Sequence, residues 1–363
     1  MFDYNEQIEA YHDTKVNLPE EIREKLRGHR KANQDRLMEN IRDGISVSRS
    51  SFVKQGSYAM RTTIQHEEND YDIDDGVVFK KEELVGERDA EMTPLQVRDM
   101  VLDAVSKNHP FKTKPERLKN CVRVFYEEGH HVDIPSYRKS TDAAGNDVVE
   151  HAGAEWKKSN PKEINEWFEG QVSAWEKRKE GTGNQLRRMV RLLKRFARSR
   201  ESWNMPSGLI LTMLVGEKFQ AFDRDDECFR SLLQNLKYRL AGNLVVENLA
   251  DSGFPREKLT KTNEDANMKE LREKVGEALD KLAVLDKADC TLEQARAAWD
   301  WVFQSNGFFE AYDKDHEKAV ALYANAALVQ AGLASTSPAG HIGTVGVANI
   351  GHRFYGETLD TKR

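Results

Sequence analysis

Cysteine is scarce in this chain. Three residues, Cys121, Cys228 and Cys290, lie far apart in 363 positions and form no CxxC pair. That spacing argues against a structural zinc site and a disulfide framework, and it fits a reducing cytosol. Long apolar runs are missing too: no stretch approaches the roughly 18–20 residues that span a bilayer. The N-terminal MFDYNEQIEAYHD is acidic and lacks the apolar segment of a secretory signal, so a cytoplasmic protein is expected. The chain also lacks the overall positive charge of a general nucleic-acid binder. Its net charge is −6, and no stable nucleic-acid partner is expected. Basic residues are concentrated instead. Positions 184–200, NQLRRMVRLLKRFARSR, hold seven Lys or Arg and no acid, which suits a small anionic ligand.

What is present is patterned. Residues 19–44 read as one long polar helix with Ile22, Leu26, Leu37 and Ile41 as a thin apolar seam. Strands are expected at 51–57, 71–80, 120–127 and 130–137, a hairpin turn and returning strand at 143–149, and a helix at 93–107 opened by Thr93 and Pro94. Beyond about 155 the pattern is helical, with helices near 161–178, 185–200, 207–221, 226–240, 265–285, 292–305 and 313–332 and an irregular stretch at 243–263. The expected fold is α+β. A mixed-sheet head at 1–155 carries the long helix, a helical domain at 156–333 completes a ligand cleft, and a Gly-rich tail at 334–363 packs late or stays mobile.

The chemistry concentrates in QGSYAMRTTIQHEENDYDIDDGVVF, residues 55–79. Asp72 and Asp74 stand two apart on a strand and therefore share a face, while Asp75 points the other way. Packed carboxylates repel, and a cation removes the objection. Asp133, in HHVDIPSY, sits between apolar residues on a second strand. Three aspartates on adjacent strands can hold two Mg²⁺ about 3.5–4 Å apart, with Mn²⁺ as a substitute, for in-line phosphoryl displacement. Gly56 lets backbone approach a phosphate, and Ser57 adds a hydroxyl and an N–H at a helix start.

On the 185–200 helix, Leu186, Val190, Leu193 and Ala197 form an apolar stripe, and Arg187, Arg191, Lys194 and Arg198 form a basic one. Most of that basic stripe is expected to face solvent. His130 and His131 flank the metal strand, but Mg²⁺ prefers oxygen, so neither is taken as a ligand. His341 and His352 stand too far apart in the tail to make a site. Trp156, Trp167, Trp175 and Trp203 are expected in the core.

Gly56 and Ser57, Asp72 and Asp74, then Asp133 resemble the signature of polymerase β-like nucleotidyltransferases. QGSYAM, YDIDDGV, HHVDIPSY, EWKKSNPKEINEWF, LRRMVRLLKRF and MPSGLILTMLV, in this order, resemble the cGAS/DncV-like nucleotidyltransferases (CD-NTases), with bacterial dinucleotide cyclases nearest in motif. The resemblance covers residues 50–215 well. It implies that Gln55, Gly56, Ser57, Lys194 and Ser207 hold the donor triphosphate, that Ser159 and Asn160 meet a base, and that Arg123 contacts the acceptor nucleotide. Ser159 and Asn160 serve equally as a helix cap ahead of Pro161. Gly208 stands where the bacterial relative has a serine, and Met60 where it has a stacking aromatic. The implied activity is Mg²⁺-dependent joining of nucleoside triphosphates, ATP among them, into a cyclic oligonucleotide that activates a separate effector protein in bacterial anti-phage signalling. Linear oligoadenylate synthesis, AMP transfer to another acceptor, and a non-catalytic nucleotide-binding protein are the alternatives.

Overall fold

The computed structural model describes residues 1–66, 71–86, 89–107, 109–331, 333, 335–337, 342–344 and 347–348. Residues 1–304 make one compact unit and residues 305–363 a second. The second holds a long helix, Phe308–Gln330, and three two-residue strands, Ser335–Thr336, Ile342–Gly343 and Val347–Ala348. Most of the expected tail, with His341 and His352, lies outside the described residues. No helix among the described residues is long and apolar enough to cross a membrane.

The first unit opens with α1 (Asn5–Tyr11) and α2 (Glu20–Asn40). Then come β1 (Phe52–Gln55), a single helical turn α3 (Gly56–Ala59), β2 (Asp72–Lys80) and α4 (Pro94–Ser106). The Thr93 hydroxyl and the Gln96 side chain close a capping box at the start of α4, as the Thr-Pro pair predicts. Strands β3 (Glu116–Arg117), β4 (Val122–Phe125), β5 (His131–Ile134), β6 (Ser136–Thr141), β7 (Asp147–Ala152) and β8 (Trp156–Lys158) complete an eight-stranded sheet. Helices α5 (Glu163–Arg178), α6 (Thr182–Ala197), α7 (Gly208–Lys218), α8 (Asp225–Gly242), α9 (Ala266–Leu282) and α10 (Leu292–Phe303) follow.

β2 is the organising strand. β1 runs antiparallel to it, pairing Gln55 with Asp74. β5 and β6 both run parallel to it. The register that sets Asp72 beside His131 and Asp74 beside Asp133 continues past Pro135 to set Val77 beside Ser136 and Lys80 beside Lys139. β5 and β6 are thus one strand in two pieces, with β4 antiparallel on the first and β7 on the second.

Alternation sorts the two faces of the sheet. Ile73, Val77, Phe79, Val122, Val124, Val132 and Ile134 turn to one side and form the core with Leu26 and Leu37 of α2 and Val97 and Val101 of α4. Asp75 shares this buried side. It accepts from Gln34 Nε2 at 2.7 Å and lies 3.7 Å from Arg30, which ties α2 to the sheet. The opposite face carries the polar residues.

The helical part has its own core, where Trp299 of α10 packs against Phe229 and Phe303. The chain's first residues dock here: Asp226 accepts from the Tyr4 N–H, and the Asp225 N–H donates to Asn5. Trp156, Trp167, Trp175 and Trp203 are half-buried, contrary to the core placement expected for them. Each indole carries a polar handle or a cation to satisfy. Trp156 donates to the Met92 carbonyl under the Arg138 guanidinium, and Trp175 and Trp203 stack beneath Arg178 and Arg200.

Candidate active site

Four residues form a row across the polar face of the sheet: Gln55 of β1, Asp74 of β2, Asp133 of β5 and Arg123 of β4, each beside the next in register. Asp72 stands two residues from Asp74 on the same face. Arg123 grips Asp133 with two parallel bonds, Nε to Oδ1 and Nη2 to Oδ2, both 2.7 Å. Asp133 in turn holds the guanidinium firmly charged. Among the described residues Asp74 has no such fork. Burial first, then repulsion from Asp72 and Asp133, raises its pKa from 3.8 to about 7. One ligand atom from each of Asp72, His131 and Asp133 lies within 4.8 Å of the others. Carboxylates this close, one of them pushed toward protonation by its neighbours, fit a divalent cation that would relieve the repulsion.

Gly56 is forced by this geometry. Its φ is +61°, and a Cβ there would meet Asp74 Oδ2 at 2.2 Å. The chain thus passes directly over the carboxylate and turns into α3. The Ser57 hydroxyl lies 3.0 Å from that of Thr63. Gly76 plays a matching part, since a Cβ there would overlap the Gln55 amide at 2.0 Å. Tyr137 donates its hydroxyl to Gln55 Oε1 at 3.0 Å.

The basic stripe of α6 grips the loop that follows α3. Arg187 Nε donates to the Met60 carbonyl at 3.3 Å. Arg191 donates twice to the Arg61 carbonyl, at 3.0 and 2.6 Å. Lys194 Nζ donates to the Thr62 carbonyl and hydroxyl at 3.2 and 3.0 Å. Three successive carbonyls are held by one helix face, so the expectation of a mostly solvated stripe is corrected. Arg191 and Lys194 are buried, and Arg198 is the exposed member of the four. His12 completes the grip. Burial and the neighbouring Arg191 lower its pKa to about 4, so the neutral ring accepts from Arg191 Nη1 at 3.1 Å.

This anchoring makes Arg191 a positioning residue for the Gly56 loop. Arg191→Met should raise the KM for nucleotide on the order of 10-fold, because each charge-assisted bond is worth about 1.5–3 kcal/mol. Arg191→Lys should recover part of the loss. Equal damage from both variants would deny the role.

A cavity of ≈ 670 Å³ covers the row. Gln55, Gly56, Ser57, Asp72, Asp74, Arg123, Ser159, Asn160 and Lys194 line it, with His131, Thr62, Tyr137, Arg198 and Gly208. Asp133 lies beneath, behind the Arg123 fork. Ser207 stands apart: it is exposed and caps α7, its hydroxyl accepting from the Ile210 N–H at 3.4 Å. The neighbour of Lys194 is Gly208, where a Cβ would come within 3.3 Å of the lysine chain. Asn160 Oδ1 accepts from the Lys162 N–H at 3.1 Å, so it shapes the turn into α5 while lining the cavity. His131, not expected as a ligand, and Tyr137 line the cavity as well. Their spacing of two and four residues from Asp133 on one strand is the signal that places them on its face.

Lys194 gives the site a pH dependence. Burial, then Arg198 and Arg191, lower its pKa from 10.5 to about 7. Folding therefore favours the neutral amine, and this group's contribution to stability is full above about 10.5 and lost as pH falls through about 7. A polyanion bound beside Lys194 would reverse the preference, and its binding would take up a proton at alkaline pH. Nucleotide affinity should weaken between about pH 7.5 and 9.5, by up to ~10-fold per unit. Lys194→Met should flatten that slope in a calorimetric titration.

Adjacent-strand aspartates beside a glycine-turn loop and a buried lysine suit metal-assisted phosphoryl transfer. Residues 50–137 match the family described as the cyclic GMP-AMP synthase DncV-like nucleotidyltransferase domain. Over most of its length the chain shares the fold of solved DncV-like nucleotidyltransferases (CD-NTases). Crystals of the Vibrio cholerae DncV cyclic AMP-GMP synthase superpose with a TM-score of 0.64 at 16% identity, covering 84% of this chain and 96% of that one. The same enzyme with the linear intermediate 5′ pppA(3′,5′)pG gives 0.64 at 18%, with the same coverage. The Bradyrhizobium diazoefficiens CD-NTase CdnG in complex with GTP gives 0.60 at 18%, covering 85% and 99%.

Proposed function

We propose that this protein joins nucleoside triphosphates into a cyclic oligonucleotide, a di- or trinucleotide with adenine in it, and releases pyrophosphate. The observation that carries the reading is the row Gln55, Asp74, Asp133 and Arg123 beneath one cavity that also holds Gly56, Lys194 and Asn160. Asp72, Asp74 and Asp133 would hold two Mg²⁺, or Mn²⁺ in their place. A divalent cation there neutralises phosphate charge and lowers the pKa of a ribose hydroxyl.

The chain's own residues do the rest. Gly56, Ser57 and Lys194 hold the leaving phosphates, with the loop fixed from behind by α6, and Ser207, one residue before the cavity-lining Gly208, would add a phosphate contact only by turning from its cap of α7. Asp133, held beneath the cavity by Arg123, would with one cation lower the pKa of the acceptor hydroxyl, whose proton is lost to solvent as its oxygen bonds to the α-phosphorus and pyrophosphate departs. Arg123 also neighbours the acceptor nucleotide. A second round on the linear product closes the ring. Ser159 and Asn160 meet a base. Asn160 spends Oδ1 on the backbone, and its Nδ2 remains to donate, which suits N1 of adenine better than the donor edge of guanine.

The relatives support the product class: the DncV crystals hold ATP and GTP in one case and a linear pppApG in another. The messenger would act on a separate effector protein in bacterial anti-phage signalling.

The test is a reaction series with Mg²⁺ and ATP, GTP, CTP and UTP, singly and in pairs, followed by phosphatase and mass spectrometry. A phosphatase-resistant cyclic product containing adenine is expected. Linear products that lose their terminal phosphates would replace this reading with oligoadenylate synthesis, and label appearing on another acceptor would replace it with AMP transfer.

A further inference from the structure

The donors brought together most closely on the sheet are not the three aspartates. His131 is the direct parallel neighbour of Asp72, and it stands two residues before Asp133, so alternation puts its ring on the polar face. Its Nε2 lies 3.5 Å from Asp72 Oδ1, and its side chain is 11% exposed. Among the described residues, Asp72, His131 and Asp133 form the group whose ligand atoms all lie within 4.8 Å of one another, and Asp74, beside Asp133 in register, is not part of it. The nitrogen facing the carboxylates is the one a cation between them would meet. Mg²⁺ takes oxygen ligands and keeps its water, whereas imidazole suits later and softer first-row ions, and affinity at mixed sites rises from Mn²⁺ onward.

We propose that His131 Nε2 is a ligand of one of the two divalent cations, together with Asp72 and Asp133, and that this nitrogen makes the position select Mn²⁺ over Mg²⁺. The inference rests on the reading that the aspartates hold divalent cations. A purely structural pairing of His131 with Asp72 would leave the cation with oxygen ligands alone.

Pulsed electron paramagnetic resonance on the intact protein with Mn²⁺ separates the two. Directly bonded imidazole gives a ¹⁴N modulation of the Mn²⁺ echo, a signal that requires neither turnover nor a variant. It is expected in the wild type and should vanish in His131→Gln, which also excludes His66, a lining residue of the same cavity. In parallel titrations His131→Gln should lose about 10-fold or more in Mn²⁺ affinity, the scale of removing one supporting group at a metal site, with Mg²⁺ affinity nearly unchanged. Mn²⁺ bound without nitrogen coupling would overturn the assignment of His131 and leave the aspartate site standing. An equal fall for both cations would make the histidine structural. No Mn²⁺ binding by the wild type would overturn the metal-site reading with it.

Discussion

Asparagine at both Asp72 and Asp74 should abolish pyrophosphate release while leaving the protein at least as stable as before. The two effects have one cause. In the wild type Asp74 has a pKa raised by burial and by repulsion from Asp72 and Asp133. Its folded pKa of about 7 lies above the ordinary 3.8, so the stability it contributes is complete at low pH and is lost as pH rises through about 7. The amides carry no charge to bury or repel. At pH 8 without divalent cations the double variant should melt at or above the wild-type temperature, and the wild type alone should gain when a cation is added. Turnover should fall by at least ~10³-fold, about 4 kcal/mol of transition-state stabilisation. Asp133→Asn should be equally inactive but less stable, because it strips the Arg123 fork of its carboxylate. Normal turnover by the double variant would defeat the metal-site hypothesis outright.

Gly56→Ala is the second large effect, and its size comes from position. Left-handed backbone costs an L-residue roughly 1–2 kcal/mol anywhere. At Gly56 the added methyl also meets Asp74 Oδ2 at 2.2 Å, so the carboxylate or the loop must move. The loop is pinned through Met60, Arg61 and Thr62 to α6, and therefore Asp74 gives way. A displacement near 1 Å at reacting groups costs about 100-fold. Gly181→Ala is the matching control. It has a φ of +81° and nothing within 4 Å of its Cβ position. Both variants should lose a few degrees of melting temperature, about 2–4 °C per kcal/mol for a domain of 150–250 residues. Gly56→Ala should additionally lose turnover. Similar activity in the two would show that the close approach to Asp74 is unimportant.

Much of this architecture could be read from period and spacing. The two-residue alternation of DIDDGVVF separates Asp72 and Asp74 from Asp75, and the structure places them on opposite faces. Leu186, Val190, Leu193 and Ala197 do form the buried stripe of α6. The failures were those of partner and depth. The carbonyls that Arg187, Arg191 and Lys194 grip lie well over a hundred residues earlier in the chain, and a helical stripe of cations carries no mark of what it will meet. His131 shares the site's face by its two-residue spacing from Asp133, a placement on which ligand preference is silent. The apolar helical positions of the tryptophans point to the core, while the Met92 carbonyl that Trp156 meets and the cations over Trp175 and Trp203 leave no periodic trace.

The opposed directions of Asp74 and Asp75 also bear on how this protein can vary. One extra or missing residue between Tyr71 and Phe79 would turn every following side chain to the other face of the sheet. A shift ahead of Asp74 would raise Asp75, the acid that α2 holds from below, into the cavity and sink Asp74 into the hydrocarbon interior. Substitutions in this strand alter one position at a time, but insertions and deletions strike catalysis and folding together. Length changes in the lineage of this fold are therefore to be looked for in the turns, and β2 should keep its residue count even where its letters drift.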